Sequence, residues 1–111
     1  MSNTRPQSEL YREAYERWVS LDARARMLED TKSVVFAQMC SEMMGDFPGY
    51  SVAKVEQRIK ASDRWEAFVR SMVDARTKAN EAKVAVEVAR MRYWENSQDR
   101  ADERFVARTG T

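Results

Sequence analysis

The chain has 111 residues, 33% of them charged, with 3 Gly and 2 Pro, a balance that fits one helix-rich domain with few places to turn. A net charge of +1 gives no general drive toward nucleic acid or an acidic membrane, and the absence of histidine removes the commonest general base and the commonest metal ligand together. The single cysteine, Cys40, excludes an internal disulfide. With no signal-peptide pattern and no membrane-length apolar run, a soluble protein of the cytoplasm is expected.

Residues 1–7 are polar and broken by Pro6, and are expected to fray. Ser8 is then placed to cap a helix over 8–44, with Glu9 in its first turn, where a carboxylate suits the positive end of the helix dipole. Tyr11, Ala14, Trp18, Leu21, Ala25, Leu28, Phe36, Met39 and Met43 fall on one face of that helix, and Lys32 interrupts the stripe. Gly45 reads as a left-handed C-cap, and Pro48 follows it in the one strong turn signal of the chain, residues 45–50. Ser51 caps a short helix over 51–60 whose apolar residues are Val52, Val55 and Ile59. Asp63 with Glu66 three residues later has capping-box spacing, which predicts a break before a long helix over 63–107. The last residues, Thr109, Gly110 and Thr111, are expected to be loose.

The long helix organises the rest. Trp65, Phe68, Met72, Ala75, Ala79, Ala82, Val86, Ala89 and Tyr93 recur with spacings of 3 and 4 in alternation, the period of a coiled-coil seam. Its middle is almost pure alanine, which lets a neighbouring backbone come close. Residues 9–46 carry 5 basic and 8 acidic side chains, whereas residues 51–92 carry 10 basic and 6 acidic. An antiparallel hairpin sets these unlike halves side by side. A second stripe, Val69, Val73, Val84, Val88 and Met91 with Trp94 on its flank, lies nearly opposite the alanine seam. A helix apolar on two opposite sides needs two neighbours. The fold expected is therefore all-α: a long antiparallel, coiled-coil-like hairpin with a short connecting helix, forming one domain and dimerising into a bundle.

Little in the chain points to catalysis. Met39, Cys40, Met43 and Met44 form a sulfur-rich group of a kind that suits Cu(I), but their spacing is that of an ordinary helix face packing under a turn. Carboxylates such as Glu13 with Glu16, or Asp99 with Asp102, read as a solvated flank rather than an acid–base pair held in a pocket. No nucleophilic triad, phosphate loop or metal-ligand spacing occurs, so no enzyme and no cofactor is expected. Nucleic acid is a closer contest: Arg90, Arg92 and Trp94 could contact phosphates and stack on unpaired bases. Against that, the basic residues form no continuous stripe, and the segment 93–108 carries 3 basic and 4 acidic side chains.

Four words in the chain, Val34-Val35-Phe36-Ala37-Gln38, Lys60-Ala61-Ser62-Asp63, Ala75-Arg76-Thr77-Lys78-Ala79-Asn80-Glu81-Ala82-Lys83 and Met91-Arg92-Tyr93-Trp94-Glu95-Asn96-Ser97-Gln98, are similar to those of small uncharacterised helical proteins of tailed phages and prophages. Such proteins often lie among recombination and replication genes, and the resemblance implies that setting and the cytoplasm of a host cell. It supplies no catalytic residue. The leading expectation is a non-enzymatic interaction protein, a homodimer that meets a protein partner through Val69, Val73, Val84, Val88, Met91 and Trp94. Two alternatives stand beside it: an accessory of phage recombination or replication with weak single-stranded DNA binding, and a phage inhibitor of a host defence protein.

Overall fold

The computed structural model describes residues 5–108, and the fraying expected of residues 1–4 and 109–111 lies outside them. Three helices follow in order: α1 (Gln7–Asp46), α2 (Val52–Lys60) and α3 (Asp63–Arg108). The two long helices pack antiparallel and α2 closes one end, giving an extended hairpin of 89 × 28 × 16 Å. Its radius of gyration is 24.6 Å, against about 13 Å for a compact domain of this length. The molecule is a rod.

Each helix boundary has a local cause, and three differ from expectation. The α1 helix starts one residue before Ser8: Pro6 is the cap residue, its carbonyl accepts from the Glu9 and Leu10 amides, and no side chain caps this end. Proline suits this place because its fixed φ is already close to helical and its missing N–H would be unpaired anyway. The same helix runs through Gly45, which is not left-handed, to Asp46. What stops it is Pro48. The ring of a proline disfavours the α region for the residue before it, and Phe47 has moved to φ −130°, ψ 70° while its amide still donates to the Met43 carbonyl at 2.8 Å. At α3 the cap is Ser62, not Asp63: its Oγ accepts from the Trp65 amide at 3.2 Å and donates to the Ile59 carbonyl at 2.6 Å. Asp63 and Glu66 are both inside the first turn. Ser51 caps α2 as the sequence predicts, accepting from the Lys54 amide at 3.2 Å.

The core is a line rather than a ball. At the closed end Met39, Cys40, Val55 and Ile59 are buried together, with Phe36, Met43, Met44, Tyr50 and Trp65 packed around them. Phe36 meets Trp65 edge-on at 5.1 Å. In the middle, Ala25 and Ala79 have no exposed surface and Ala75 lies beside them, flanked by Leu21 and Leu28. Tyr11 against Tyr93, 5.9 Å apart, completes the register near the open end. None of the nine seam residues of α3 from Trp65 to Tyr93 is exposed. Lys32 is exposed beside the α1 stripe, and Thr31 takes its place facing inward, its hydroxyl donating to the Met27 carbonyl at 2.8 Å.

Ion pairs bind the acidic helix to the basic one. The Arg76 guanidinium reaches Glu29 through two nitrogens, at 2.9 and 2.7 Å, and Asp22 through the third, at 2.8 Å. Arg64 holds Glu42 at 2.6 Å near the closed end. At the other end Arg5, just before α1, pairs with Glu13 of that same helix, a contact that does not bridge the two. Beyond Ser97 the register runs out. Residues 98–105 of α3 are exposed on every side, because α1 begins only four residues before Tyr11 and has nothing to offer them among the described residues.

Candidate interaction surface

With Trp65, Met72, Ala79, Val86 and Tyr93 as a positions and Phe68, Ala75, Ala82 and Ala89 as d positions, the side of α3 away from the seam consists of positions b, c and f, along which the b and f positions form one row. From residue 73 onward these are Val73, Thr77, Asn80, Val84, Glu87, Met91, Trp94, Gln98, Ala101 and Phe105, and every one is exposed. The large apolar members stand well out of the surface: Val73 is 53% exposed, Val84 59%, Met91 60%, Trp94 64%, with Val88 beside the row at 42%. Scattered apolar residues are normal on a surface, but Val84, Val88, Met91 and Trp94, spaced 4, 3 and 3 along one helix, form a stripe.

The row does not include everything the sequence places there. Val69 is half-buried and occupies an e position at the edge of the hairpin seam, so it belongs to the near side. Trp94 leans edge-on against Tyr93 at 6.0 Å, which fixes it without covering it. Arg90 lies one turn before Trp94 and on the same flank. Arg92 is two residues from each, about 200° around the helix, and faces away. Arg90, Arg92 and Trp94 are all exposed, but they do not form one surface. Only Arg90 and Trp94 are neighbours.

The charges around the row are ordered. Along one edge, the e positions carry Arg76, Lys83, Arg90 and Arg104; along the other, the c positions carry Asp74, Glu81, Glu95 and Asp102. Arg76 is committed inward. Its two carboxylate partners hold its proton more firmly than usual, and its hydrogen bonds in turn pull the Asp22 and Glu29 carboxyls below their ordinary range. Asp22 is further held by Arg26 at 2.9 Å.

The other long helix has an outer row too, which the sequence reading passed over. Tyr15, Val19, Met27 and Val34 are exposed on the side of α1 away from the seam. Their spacings are 4, 8 and 7 residues, and the signal is weak because Ala23 and Asp30 fill the gaps. Phe105, in the part of α3 that projects past α1, is also exposed.

Chemistry beyond contact is sparse. Met39 and Cys40 are spent on packing against Val55 and Ile59, and burial pushes the Cys40 thiol up, with Glu56 adding to the effect and Lys60 opposing it. Among the described residues no group of three or more Cys, Asp or Glu side chains converges on a metal site, and no helix is long and apolar enough to cross a membrane. The concave places are open grooves, such as the one between Tyr11, Tyr15 and Tyr93 at the open end. No family model, curated protein or solved structure matches the chain. The outer faces of the two long helices therefore carry the functional reading.

Proposed function

We propose that the protein is a non-enzymatic interaction module that works through the outer faces of its long helices, and that a second copy of the chain is one of its partners. The observation that carries this reading is the row Val73, Val84, Val88, Met91 and Trp94, more than two-fifths exposed at each residue and set opposite a seam already satisfied by α1. Apolar side chains of this size in one stripe mark a surface made to be covered, and a tryptophan within it is the residue type that most often anchors an interface. The resemblance to helical proteins of tailed phages supplies the proposed setting, in which the further partner is a phage or host protein in the cytoplasm.

Size-exclusion chromatography with light scattering at micromolar concentration tests the self-association. The expected mass is twice 12.9 kDa. A monomer at all concentrations, unchanged by Val84→Glu, would remove the second copy as a partner and leave only a different protein.

A second reading rests on the one pair that does share a flank, Arg90 and Trp94, where a base could stack on the indole while the guanidinium meets a phosphate. Titration with a single-stranded oligonucleotide at low and moderate salt separates the two readings. Tryptophan quenching that falls steeply with salt and vanishes in Trp94→Ala supports nucleic acid. No quenching at low salt refutes it.

A further inference from the structure

We infer that two copies of the chain pack α3 against α3 in parallel and in register, through the b and f positions from Val73 to Phe105. This rests on the proposed self-association and adds its geometry. Along this row one edge is basic (Arg76, Lys83, Arg90, Arg104) and the other acidic (Asp74, Glu81, Glu95, Asp102). A two-fold axis parallel to the helices brings the basic edge of each copy onto the acidic edge of the other. A two-fold axis across them sets basic on basic and acidic on acidic along the full length. In the parallel arrangement an e position meets the c position five residues further along its partner, which sets Arg76 towards Glu81 and pairs Arg90 with Glu95 of the second copy, twice by symmetry, while Lys83 falls against Val88. Arg90 and Glu95 are in no ion pair within the described hairpin, and so remain available for this contact. Arg76 is held by Asp22 and Glu29 and contributes only its field.

The polar residues of the row divide: Asn80 favours this register, and Glu87 opposes it by meeting Glu87 of the second copy. Asn80 meets Asn80 of the second copy, where two side-chain amides can each donate and accept; in a seam such a residue fixes partner number and alignment at some cost in stability. Glu87 is the one charge in the row, and Lys83 stands one turn before it on the same helix. From Val73 to Phe105 the stripe is about 48 Å long and, at roughly 10 Å wide, covers on the order of 500 Å² per copy. The total of about 1,000 Å² lies at the lower edge of specific interfaces. An interface of that size fits a weak, reversible dimer.

Cysteine cross-linking tests the geometry. In a Cys40→Ser background whose helicity is verified by circular dichroism, Thr77→Cys, Val84→Cys and Met91→Cys, introduced singly, should each give a covalent dimer on mild oxidation. A parallel in-register pair brings every equivalent f position together, whereas an antiparallel pair does so only near its two-fold axis. Val19→Cys on α1 should stay monomeric on the same gel. A dimer that cross-links at only one of the three α3 positions, or more readily at Val19, overturns the parallel arrangement and leaves self-association standing; a monomer by light scattering overturns both. A charge swap, made with Cys40 intact, gives an independent check. Arg90→Glu or Glu95→Arg alone should weaken the dimer roughly tenfold, and the two together should restore it to about the original affinity. A double variant no tighter than the singles refutes the pairing.

Discussion

Replacing Ala79 by leucine tests the closest approach of the two long helices. Ala79 and Ala25 have no exposed surface, and Ala75 and Ala82 are only 7% and 5% exposed, so the waist of the rod is closed on both sides. Leucine adds three carbons, which would stabilise by about 2.4 kcal/mol if there were room to bury them. There is none. Small residues allow interaxial distances near the lower end of the usual range of about 8–10 Å, and leucine demands the upper end. To fit it the helices must part by about 1–2 Å, which strips Leu21 and Leu28 of contact on either side. Overpacking of this kind costs about 1–3 kcal/mol. In a domain of this size that lowers Tm by roughly 5–20 °C. Thermal unfolding followed by circular dichroism measures it, with Ala85→Leu as the control, because Ala85 is exposed. If Ala79→Leu and Ala82→Leu both leave Tm unchanged or raise it, the alanines do not face a close neighbour and the packing argument fails.

Three further outcomes follow from local geometry. The depressed carboxyls of Asp22 and Glu29 give stability that is present in full above their ordinary pKa values of 3.8 and 4.5 and is lost as pH falls through their lower values in the folded chain. Acid unfolding should therefore begin below about pH 4.5, and in Arg76→Gln this part of the acid limb should flatten; an unchanged acid limb in the variant would show that the clamp contributes nothing. Ser62→Ala should destabilise by about 1 kcal/mol in urea and Asp63→Ala by less, since only the serine caps α3; equal costs would contradict the cap assignment. A soluble thiol reagent should label Cys40 only slowly in the native protein and fast in urea, because the thiol is buried and its pKa raised. Prompt native labelling would show that the closed end is open in solution.

The sequence by itself determined what depends on periodicity. Spacings of 3 and 4 put Trp65 to Tyr93 on one side of a helix whatever the neighbour is, and those residues face α1. The same arithmetic made Val73, Val84, Val88 and Met91 an opposite stripe, and the unlike charge of the two halves favoured their pairing in a hairpin. Helix ends were harder to read, because a cap is a backbone conformation and not a residue type. Ser8, Gly45 and Asp63 are all good cap residues, yet Pro6, the Pro48-constrained Phe47 and Ser62 take those places. Val69 was misplaced for a related reason: one step around a helix separates an outer position from the edge of the seam. Contacts between distant residues were not legible at all. The Arg76 clamp joins residues 47 and 54 positions apart, and which of ten basic residues in that half finds two carboxylates depends on the register. Aromatic packing set that register, Phe36 on Trp65 at one end and Tyr11 on Tyr93 at the other. It also decided how far α3 outruns α1, and so that Phe105 stands exposed on a length of helix with no described neighbour.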